Sequence, residues 1–248
     1  MNIAIIGYGK MGKIIEQIAL ERKHIITAII DTLDSNATHK EISAGSLEGA
    51  DVCIDFSNPN TAIENITKVS ALKKNIVVGT TNWYNSLEEA RKIISLNQTG
   101  LIYASNFSVG VNIFFRIVDF ASKQFNKIAE YDAYVFELHH NKKLDSPSGT
   151  ANSIAQIMLK NLDRKQKIAA ENLDRKINPD ELHVAAIRAG SIPGTHIAGF
   201  DSEADNIELK HEARTRKGFA LGAVMAAEWL VNRKGFYTID DLMNDVLG

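Results

Sequence analysis

A glycine loop near the N-terminus constrains the fold of this chain more than any other feature. The letters G-Y-G-K-M-G, residues 7–12, directly follow the apolar run N-I-A-I-I and precede apolar residues at helical spacing. A strand, a tight glycine turn and a helix in this order are typical of the dinucleotide-binding motif G-x-G-x-x-G. In that motif the glycines permit the turn, the approach of a pyrophosphate and close packing of the helix. A plain strand, turn and helix without a ligand is the alternative.

An aspartate follows the loop at the spacing that this motif requires. Asp31 ends the second apolar run, I-I-T-A-I-I, and a carboxylate there can accept hydrogen bonds from an adenosine ribose. The same carboxylate repels a 2′-phosphate, and the next residues, Thr32 and Leu33, supply no arginine to bind one. We therefore expect NADH to be preferred to NADPH.

The apolar runs of the first 107 residues alternate with segments of helical periodicity. Strand patterns occur at 2–6, 25–30, 50–56, 76–78 and 101–104, and helical patterns at 60–73 and 86–97. This alternation predicts an α/β fold with a Rossmann-type parallel sheet that is covered on both faces.

The pattern changes after residue 107 and predicts a second domain of α+β type with a mixed or antiparallel sheet. Helices are predicted at 109–125, 150–161 and 218–232, with a short one at the C-terminus, and strands at 131–139, 182–188, 195–200 and 206–211. We expect the polar, basic stretch at 162–180 to be an exposed excursion.

Two further segments lie where ligands bind in such folds, just beyond the carboxyl ends of parallel strands. They are Gly79-Thr80-Thr81 and Ala104-Ser105-Asn106-Phe107. Ordinary turns made of turn-favouring residues are the alternative.

The stretch E-L-H-H-N-K-K-L-D-S-P-S-G-T-A, residues 137–151, concentrates proton-transfer and anion-binding groups. His139 and Lys143 are both plausible proton donors near neutral pH, and His140 points to the opposite face of its strand. Ser148, Gly149 and Thr150 open a helix whose free N–H groups favour an anionic substrate.

One residue of that stretch needs an interpretation of its own, and two alternatives apply to the stretch as a whole. Asp145 is interpreted as a partner of a lysine or a stabiliser of the turn, rather than as a second acid. A metal site is not predicted, because no third ligand is spaced near the two histidines. A solvated polar loop with a helix cap is the remaining alternative.

Composition excludes several classes of function. A net charge of −2 gives no field that would attract nucleic acid or an anionic membrane. The single cysteine, Cys53, allows no internal disulfide, and no run is apolar enough to cross a membrane. We expect a cytoplasmic protein that binds neither nucleic acid nor membrane.

The stretch at 137–151 resembles the signature of the 4-hydroxy-tetrahydrodipicolinate reductase family, also called dihydrodipicolinate reductase. Other segments are similar to the family in the family's order: I-D-F-S-N-P, V-G-T-T, A-S-N-F-S-V-G-V-N, R-A-G-S-I-P-G-T-H and R-K-G-F-A-L-G-A. The similarity therefore runs nearly from end to end.

This resemblance implies a reaction and an architecture. A hydride passes from NADH or NADPH to C4 of a cyclic imine dicarboxylate after its 4-hydroxyl is lost as water, in the diaminopimelate route to lysine, and the ring takes a proton. Residues 1–107 with 217–248 would form the dinucleotide-binding domain, and residues 108–216 a substrate-binding domain through which a homotetramer assembles.

The resemblance also implies roles for individual residues. His139 and Lys143 match the residues that transfer protons, and His140, Gly149 and Thr150 those that contact the substrate. We add Ser148 as a substrate-binding residue because it caps the helix at this site. The positions that match cofactor contacts are Gly7, Tyr8, Gly9, Lys10, Met11, Gly12, Asp31, Gly79, Thr80, Thr81, Ala104, Ser105, Asn106 and Phe107.

The chain departs from the family in its glycine loop, which is one residue shorter than in many members. Lys10 stands where those members have arginine, and Asp31 stands where the family often has glutamate. Two other functions stay open at this point: a two-domain amino-acid or semialdehyde dehydrogenase acting on open-chain substrates, and a nucleotide-binding sensor without catalysis.

Overall fold

The structure, a computed structural model, describes all 248 residues and divides them into two compact units. The first unit comprises Met1–Val109 and Arg216–Gly248, and the second comprises Gly110–Thr215. The elements in chain order are β1 (Asn2–Ile6), α1 (Lys10–Glu21), β2 (Ile25–Ile30), β3 (Val52–Asp55), α2 (Ala62–Ala71), β4 (Asn75–Val78), α3 (Leu87–Asn97), β5 (Gly100–Tyr103), α4 (Val109–Phe125), β6 (Asp132–His139), α5 (Gly149–Asn161), β7 (Lys167–Ala169), β8 (Glu181–Arg188), β9 (Thr195–Asp201), β10 (Asn206–Glu212), α6 (Lys217–Leu230), β11 (Gly235–Thr238) and α7 (Ile239–Leu247).

The first unit is built on a six-stranded sheet in the order β11-β5-β4-β3-β1-β2, in which all neighbours are parallel. Successive side chains of a strand point to opposite faces, so Ile3 and Ile5 pack with α1 and α6 while Ala4 and Ile6 pack with α2 and α3. Both faces are therefore buried, which confirms the predicted Rossmann-type sheet. The carboxyl ends of its strands meet at one edge.

The second unit contains a mixed five-stranded sheet in the order β10-β9-β6-β8-β7. β6 runs parallel to β8 and antiparallel to β9. Buried and half-buried residues alternate along β6, and its buried face packs on α4 and α5 through residues such as Phe114, Val118, Ile154 and Met158. This arrangement confirms the predicted α+β class.

The expectation of an exposed excursion at 162–180 is wrong in part. β7 lies within this stretch and pairs in parallel with β8. Lys165 is buried, and its ammonium group donates to the carbonyls of Pro179 at 3.0 Å and Glu181 at 2.7 Å and pairs with Asp132 at 2.6 Å. A lysine can be buried when each ammonium N–H finds an acceptor, and a count of charges does not reveal such acceptors.

Two smaller differences concern the C-terminal region. The predicted helix at 218–232 is α6, which ends at Leu230, and the edge strand β11 follows it. β11 is as short as β3, β4 and β5, but it lies at the edge of the sheet, and its half-buried residues G-F-Y-T lack the continuous apolar run that marks a buried strand. No helix of the structure combines the length and apolar character needed to span a membrane.

Candidate active site

The glycine turn of the first unit leaves the N-terminus of α1 open to an anion. Gly7 has a φ of +87°, and a Cβ there would lie 2.5 Å from the carbonyl oxygen of Phe56. A Cβ on Gly12 would lie 2.3 Å from the Gly7 carbonyl oxygen, so α1 packs tightly on the turn. Gly9 caps α1 without a side-chain hydrogen bond, and no atom lies within 4 Å of the position of its missing Cβ. The N–H groups of the first helical turn therefore face open space that suits a pyrophosphate.

Asp31 lies directly beside this turn and is held by backbone donors. Its Oδ2 accepts the N–H of Tyr8 at 2.7 Å, and its Oδ1 accepts those of Leu33 at 2.8 Å and Asp34 at 3.0 Å. Burial raises the pKa of Asp31, but these N–H groups outweigh that effect and hold the pKa below its usual range. Of the four lone-pair sites of the carboxylate, one on Oδ2 stays free and can accept a ribose hydroxyl.

Tyr8 holds the turn in place. Its N–H is engaged by Asp31, and its hydroxyl donates to the carboxylate of Glu16 on α1. The phenol of Tyr8 is therefore directed at the helix that follows the turn.

Two cavities join at this edge of the sheet. The first cavity, of about 570 Å³, is lined by Gly7, Gly9 and Asp31. The second, of about 440 Å³, is lined by residues of the turn, by the segment after β4 and by the cation Arg216. Both share three lining residues, so they form one groove, which we call the cofactor groove. The shared residues are Gly9, Phe56 and Ser57. Lys10, Met11, Gly79, Thr80 and Thr81 line the second cavity.

Three cations of the cofactor groove were not predicted from the sequence. Arg216 lines the second cavity, and Lys40 and Lys68 line the first. Lys68 pairs with Glu64 at 2.7 Å, and the Lys40 ammonium group donates to the carbonyl of Asp34 at 2.9 Å. They stand far from the glycine loop in sequence, and only the fold brings them to it.

Asp55, at the end of β3, anchors the loops of the groove. Its Oδ1 accepts from the N–H of Ser57 at 2.9 Å, the hydroxyl of Ser57 at 2.7 Å and the hydroxyl of Thr80 at 3.0 Å. Asn65 donates to its Oδ2 at 2.9 Å. This buried carboxylate thus joins the turns after β3 and β4, and its position at the carboxyl end of a parallel strand was the available sequence signal.

The segment Ala104–Phe107 follows β5 at the same edge but lines neither of these two cavities. Ala104 donates its N–H to Val78 at 3.4 Å, and the Asn106 side chain accepts the N–H of Ser108 at 2.8 Å. Phe107 is buried, with its ring 6.2 Å from that of Phe56. Ser105 is exposed.

In the second unit, strand pleat and register place four polar side chains on one face of the sheet. Glu137 and His139 are two residues apart on β6 and therefore share a face. Glu137 lies directly opposite His196 of β9, and His139 lies opposite Arg188 of β8. We call these four residues, with Ser148, the polar cluster.

Glu137 is the centre of the polar cluster and is fully buried. Its Oε1 accepts from Arg188 at 2.7 Å and from the N–H of Ser148 at 2.9 Å, and its Oε2 accepts the hydroxyl of Ser148. Burial alone would raise the pKa of Glu137, but hydrogen bonds from His196, Ser148 and Arg188 hold it far below its usual range. The cluster therefore contains a permanent buried negative charge.

His139 is 8% exposed and is neutral at neutral pH. Burial lowers the pKa of His139 to about 4, against the opposing effect of the Glu137 charge. His196, Lys143 and Arg188 lower it further. One ring nitrogen is therefore unprotonated at neutral pH and can accept a hydrogen bond, and as a base it is weaker than an ordinary histidine.

Lys143 lies on the loop after β6 and pairs with Asp145 through both carboxylate oxygens, at 2.8 and 3.0 Å. This contact supports the interpretation of Asp145 as a lysine partner. His140 is half-buried, and its Nδ1 is buried without a hydrogen-bond partner.

Ser148 caps α5 by accepting the N–H of Ala151 at 3.1 Å. Gly149 begins the helix, and nothing lies within 4 Å of the position of its missing Cβ. The space in front of the first helical turn, formed by Gly149 and Thr150, is thus open and suits a carboxylate.

The polar cluster contains three side chains of metal-ligand type, of which His196 was not indicated by the sequence pattern. Ligand atoms of Glu137, His139 and His196 lie within 4.8 Å of one another. His196 stands far away in sequence, so spacing within the motif could not indicate it. Arg188 shares the Glu137 carboxylate, and its positive charge disfavours a metal cation beside it.

Comparisons with known proteins decide between the open alternatives. A family model described as the N-terminus of dihydrodipicolinate reductase matches residues 1–107, and one described as its C-terminus matches residues 110–243. The chain belongs to the dihydrodipicolinate reductase family. The resemblance noted in the sequence is thereby confirmed.

Relatives of this family member match over nearly its whole length. The 4-hydroxy-tetrahydrodipicolinate reductase of Christiangramia forsetii is 39% identical over 99% of both chains. That of Archaeoglobus fulgidus is 35% identical over 98% of this chain and all of its own.

Solved structures agree with the fold. A dipicolinate-bound dihydrodipicolinate reductase from Paenisporosarcina has a TM-score of 0.78 at 22% identity, covering 97% of this chain and 98% of its own. An amine dehydrogenase from Mycobacterium smegmatis reaches 0.63 at 10% identity, covering 97% and 95%. Because enzymes of different activity share this fold, the family match and not the fold separates a dihydrodipicolinate reductase from other dehydrogenases.

Proposed function

We propose that the chain is a 4-hydroxy-tetrahydrodipicolinate reductase that uses a nicotinamide cofactor in the diaminopimelate route to lysine. The observation that carries this proposal is the pairing of a neutral, buried His139 with the nearby cation Lys143 and the open N-terminus of α5. These groups match the needs of a small dianionic ring that must be held by charge and supplied with one proton.

The second unit provides the groups that would hold the substrate. Lys143 and His140 follow β6, and the N–H groups of Gly149 and Thr150 open α5 behind the cap Ser148. A carboxylate at this helix N-terminus gains from the free N–H groups and from the helix dipole. The Lys143 ammonium group, now paired with Asp145, would exchange that carboxylate for one of the substrate.

The charge states of the two proton-transfer residues divide their roles. Loss of the 4-hydroxyl as water also removes a proton from the neighbouring ring carbon. His139 is neutral at pH 7 because burial disfavours its charged form, so it serves as the acceptor of that proton, which leaves with the hydroxyl as water. Lys143 carries the ammonium group and serves as the donor of the proton that the reduced ring takes up. The hydride from the cofactor and the proton from Lys143 together complete the two-electron reduction of the ring.

The first unit fits a dinucleotide. When bound, the cofactor supplies the hydride that reduces C4 of the ring. The open N-terminus of α1 would bind the pyrophosphate, Asp31 the adenosine ribose, and Lys10 and Arg216 add positive charge to the groove. Asp55 would keep Thr80 and the segment around it in place.

NADH is the proposed preferred cofactor, because Asp31 puts an ionised carboxylate where NADPH carries its 2′-phosphate. Replacing Asp31 with asparagine keeps an acceptor for the Tyr8 N–H and removes the charge. We expect the ratio of kcat/KM for NADH to that for NADPH to fall by about fivefold to tenfold, because removing the charge removes a repulsion of about 1 kcal/mol or slightly more.

Steady-state kinetics with both cofactors measure that ratio. Asp34→Asn is the matched control, since Asp34 pairs with Lys13 at 2.8 Å and lines neither cavity. A wild-type enzyme that prefers NADPH, or an unchanged ratio in Asp31→Asn, would contradict the assignment.

We also propose a homotetramer assembled through the open face of the second sheet. Phe136 of β6 pairs with Ala185 and Ile197 on the two neighbouring strands, and the next residue of this face on β8, Ile187, is 44% exposed. A connected apolar surface of this kind on a β-sheet suits a second copy of the chain. Cys53, buried and free, fits the cytoplasmic location that we propose.

Phe136→Glu is expected to shift the protein to a smaller assembly, because two copies would bury like charges at the same interface. Light scattering during size-exclusion chromatography measures the mass. Phe120→Glu is the control, since Phe120 is exposed on α4, outside the open sheet face. A tetramer that survives Phe136→Glu would exclude this face as the interface.

The function is tested by supplying the cyclic product of the preceding synthase and following the absorbance of NADH. The proposal predicts oxidation of NADH that depends on the ring compound. Oxidation with open-chain amino or semialdehyde substrates instead would favour the rival dehydrogenase.

A further inference from the structure

The buried carboxylate of Glu137 has no part in the roles described above, yet it lies among the residues that carry them. It lies on β6 two residues before His139, it binds Ser148 at the start of α5 through both oxygens, and it binds Arg188 of β8. Removing a buried charge that has this many partners leaves those partners unpaired and strongly destabilises the folded protein.

The orientation of the His139 ring is the feature that this carboxylate explains. The Nδ1 atom of His139 lies 3.3 Å from Oε2 of Glu137, and it is buried without any hydrogen-bond partner. The opposite edge of the ring faces Gly194, where a Cβ would lie 2.9 Å from Nε2. Gly194 has a φ of +148° and carries no side chain. Residue 194 therefore does not cover the Nε2 edge of the ring.

We propose that Glu137 is a positioning residue that keeps Nδ1 of His139 protonated and directed into the protein, so that Nε2 is the atom that exchanges a proton with the substrate. The inference rests on the proposed function of His139. A carboxylate accepts only, so a neutral imidazole that faces it is stabilised with its proton on Nδ1. When Nε2 takes a proton, the same carboxylate stabilises the imidazolium, and contacts of this kind are often long in unliganded enzymes.

Ser148 extends this role to the substrate site. The serine donates to Glu137 with its N–H and its hydroxyl while it caps α5 by accepting the N–H of Ala151. One carboxylate thus sets both the histidine tautomer and the helix N-terminus that would receive a substrate carboxylate. The charged and titratable groups around His139 are Glu137 on its own strand, Arg188 on β8, His196 on β9 and Lys143 on the following loop.

Nitrogen-15 NMR of the histidine rings tests the proposal directly in the wild-type protein at pH 7. Assigned through the His139→Gln spectrum, the His139 ring is expected to be neutral with its proton on Nδ1. A proton on Nε2 instead would overturn the proposal, whatever the enzyme assay shows, so its failure is distinct from failure of the proposed function.

Glu137→Gln supplies the kinetic test. It removes the charge at constant size, and its amide can donate to Nδ1, so we expect the Nε2–H tautomer and a kcat lower by about 10²-fold or more. KM for NADH should stay within about twofold, because the cofactor groove belongs to the first unit. A folded variant with the wild-type tautomer, or with near-normal kcat, would overturn the proposal. If this variant does not fold, the wild-type spectrum decides alone.

Discussion

Replacing Lys143 with alanine is expected to lower kcat by about 10²- to 10⁴-fold, which is the usual contribution of a positioned proton donor. Lys143 is the cation that would both donate the proton and bind a substrate carboxylate, so KM for the ring substrate should rise as well. KM for NADH should change little, since Lys143 and the cofactor groove lie in different units. Steady-state kinetics with each substrate varied in turn separate these effects.

The neighbouring Lys142 provides a matched control. It is exposed and adjacent in sequence, and Lys142→Ala removes the same charge from the same loop. We expect that variant to keep kcat within about twofold of wild type, because exposed charges are well screened. An equal loss of kcat in the two variants would mean that the positive charge of the loop, and not a proton donor at residue 143, is what the reaction needs.

Replacing His139 with glutamine is expected to lower kcat by about 10²-fold or more, because the amide cannot accept a proton. The variant should fold, since glutamine is similar in size and leaves Glu137 bonded to Arg188 and Ser148. In the wild type, burial lowers the pKa of His139 to about 4, so its neutral form is present throughout the range from pH 5 to 8.

The pH profile of kcat/KM provides the second measurement on His139. A group that must be neutral, with a pKa of about 4, leaves kcat/KM level until the pH approaches that value. Loss of activity as the pH falls through about 6.5, the ordinary value for histidine, would show that His139 is not the neutral acceptor described here.

The parts of the fold that local patterns encode were predictable from the sequence. The glycine loop, Asp31 and the apolar runs predict a parallel sheet because each signal lies within one strand, turn or helix. β11 was missed because it is a half-buried edge strand without a continuous apolar run. The buried Lys165 was missed because its acceptors lie on other segments.

The candidate site was predictable only in part, for a related reason. His139 and Lys143 stand in one dense motif, and their chemistry is evident from their residue types. Glu137 stands in the same motif, but its role depends on strand register, which places Arg188 and His196 against it from two other strands. Cross-strand partners some fifty residues away leave no periodic signal in a single sequence.

The most direct test of the central claim follows the hydride itself. NADH that carries deuterium at C4 of the nicotinamide is mixed with the wild-type enzyme and the cyclic product of the preceding synthase, and the reduced ring is analysed by mass spectrometry and NMR. The account predicts one deuterium per product molecule, at C4 of the ring. A reduced ring without deuterium at C4, or NADH that stays unoxidised in the presence of the ring compound, would contradict it.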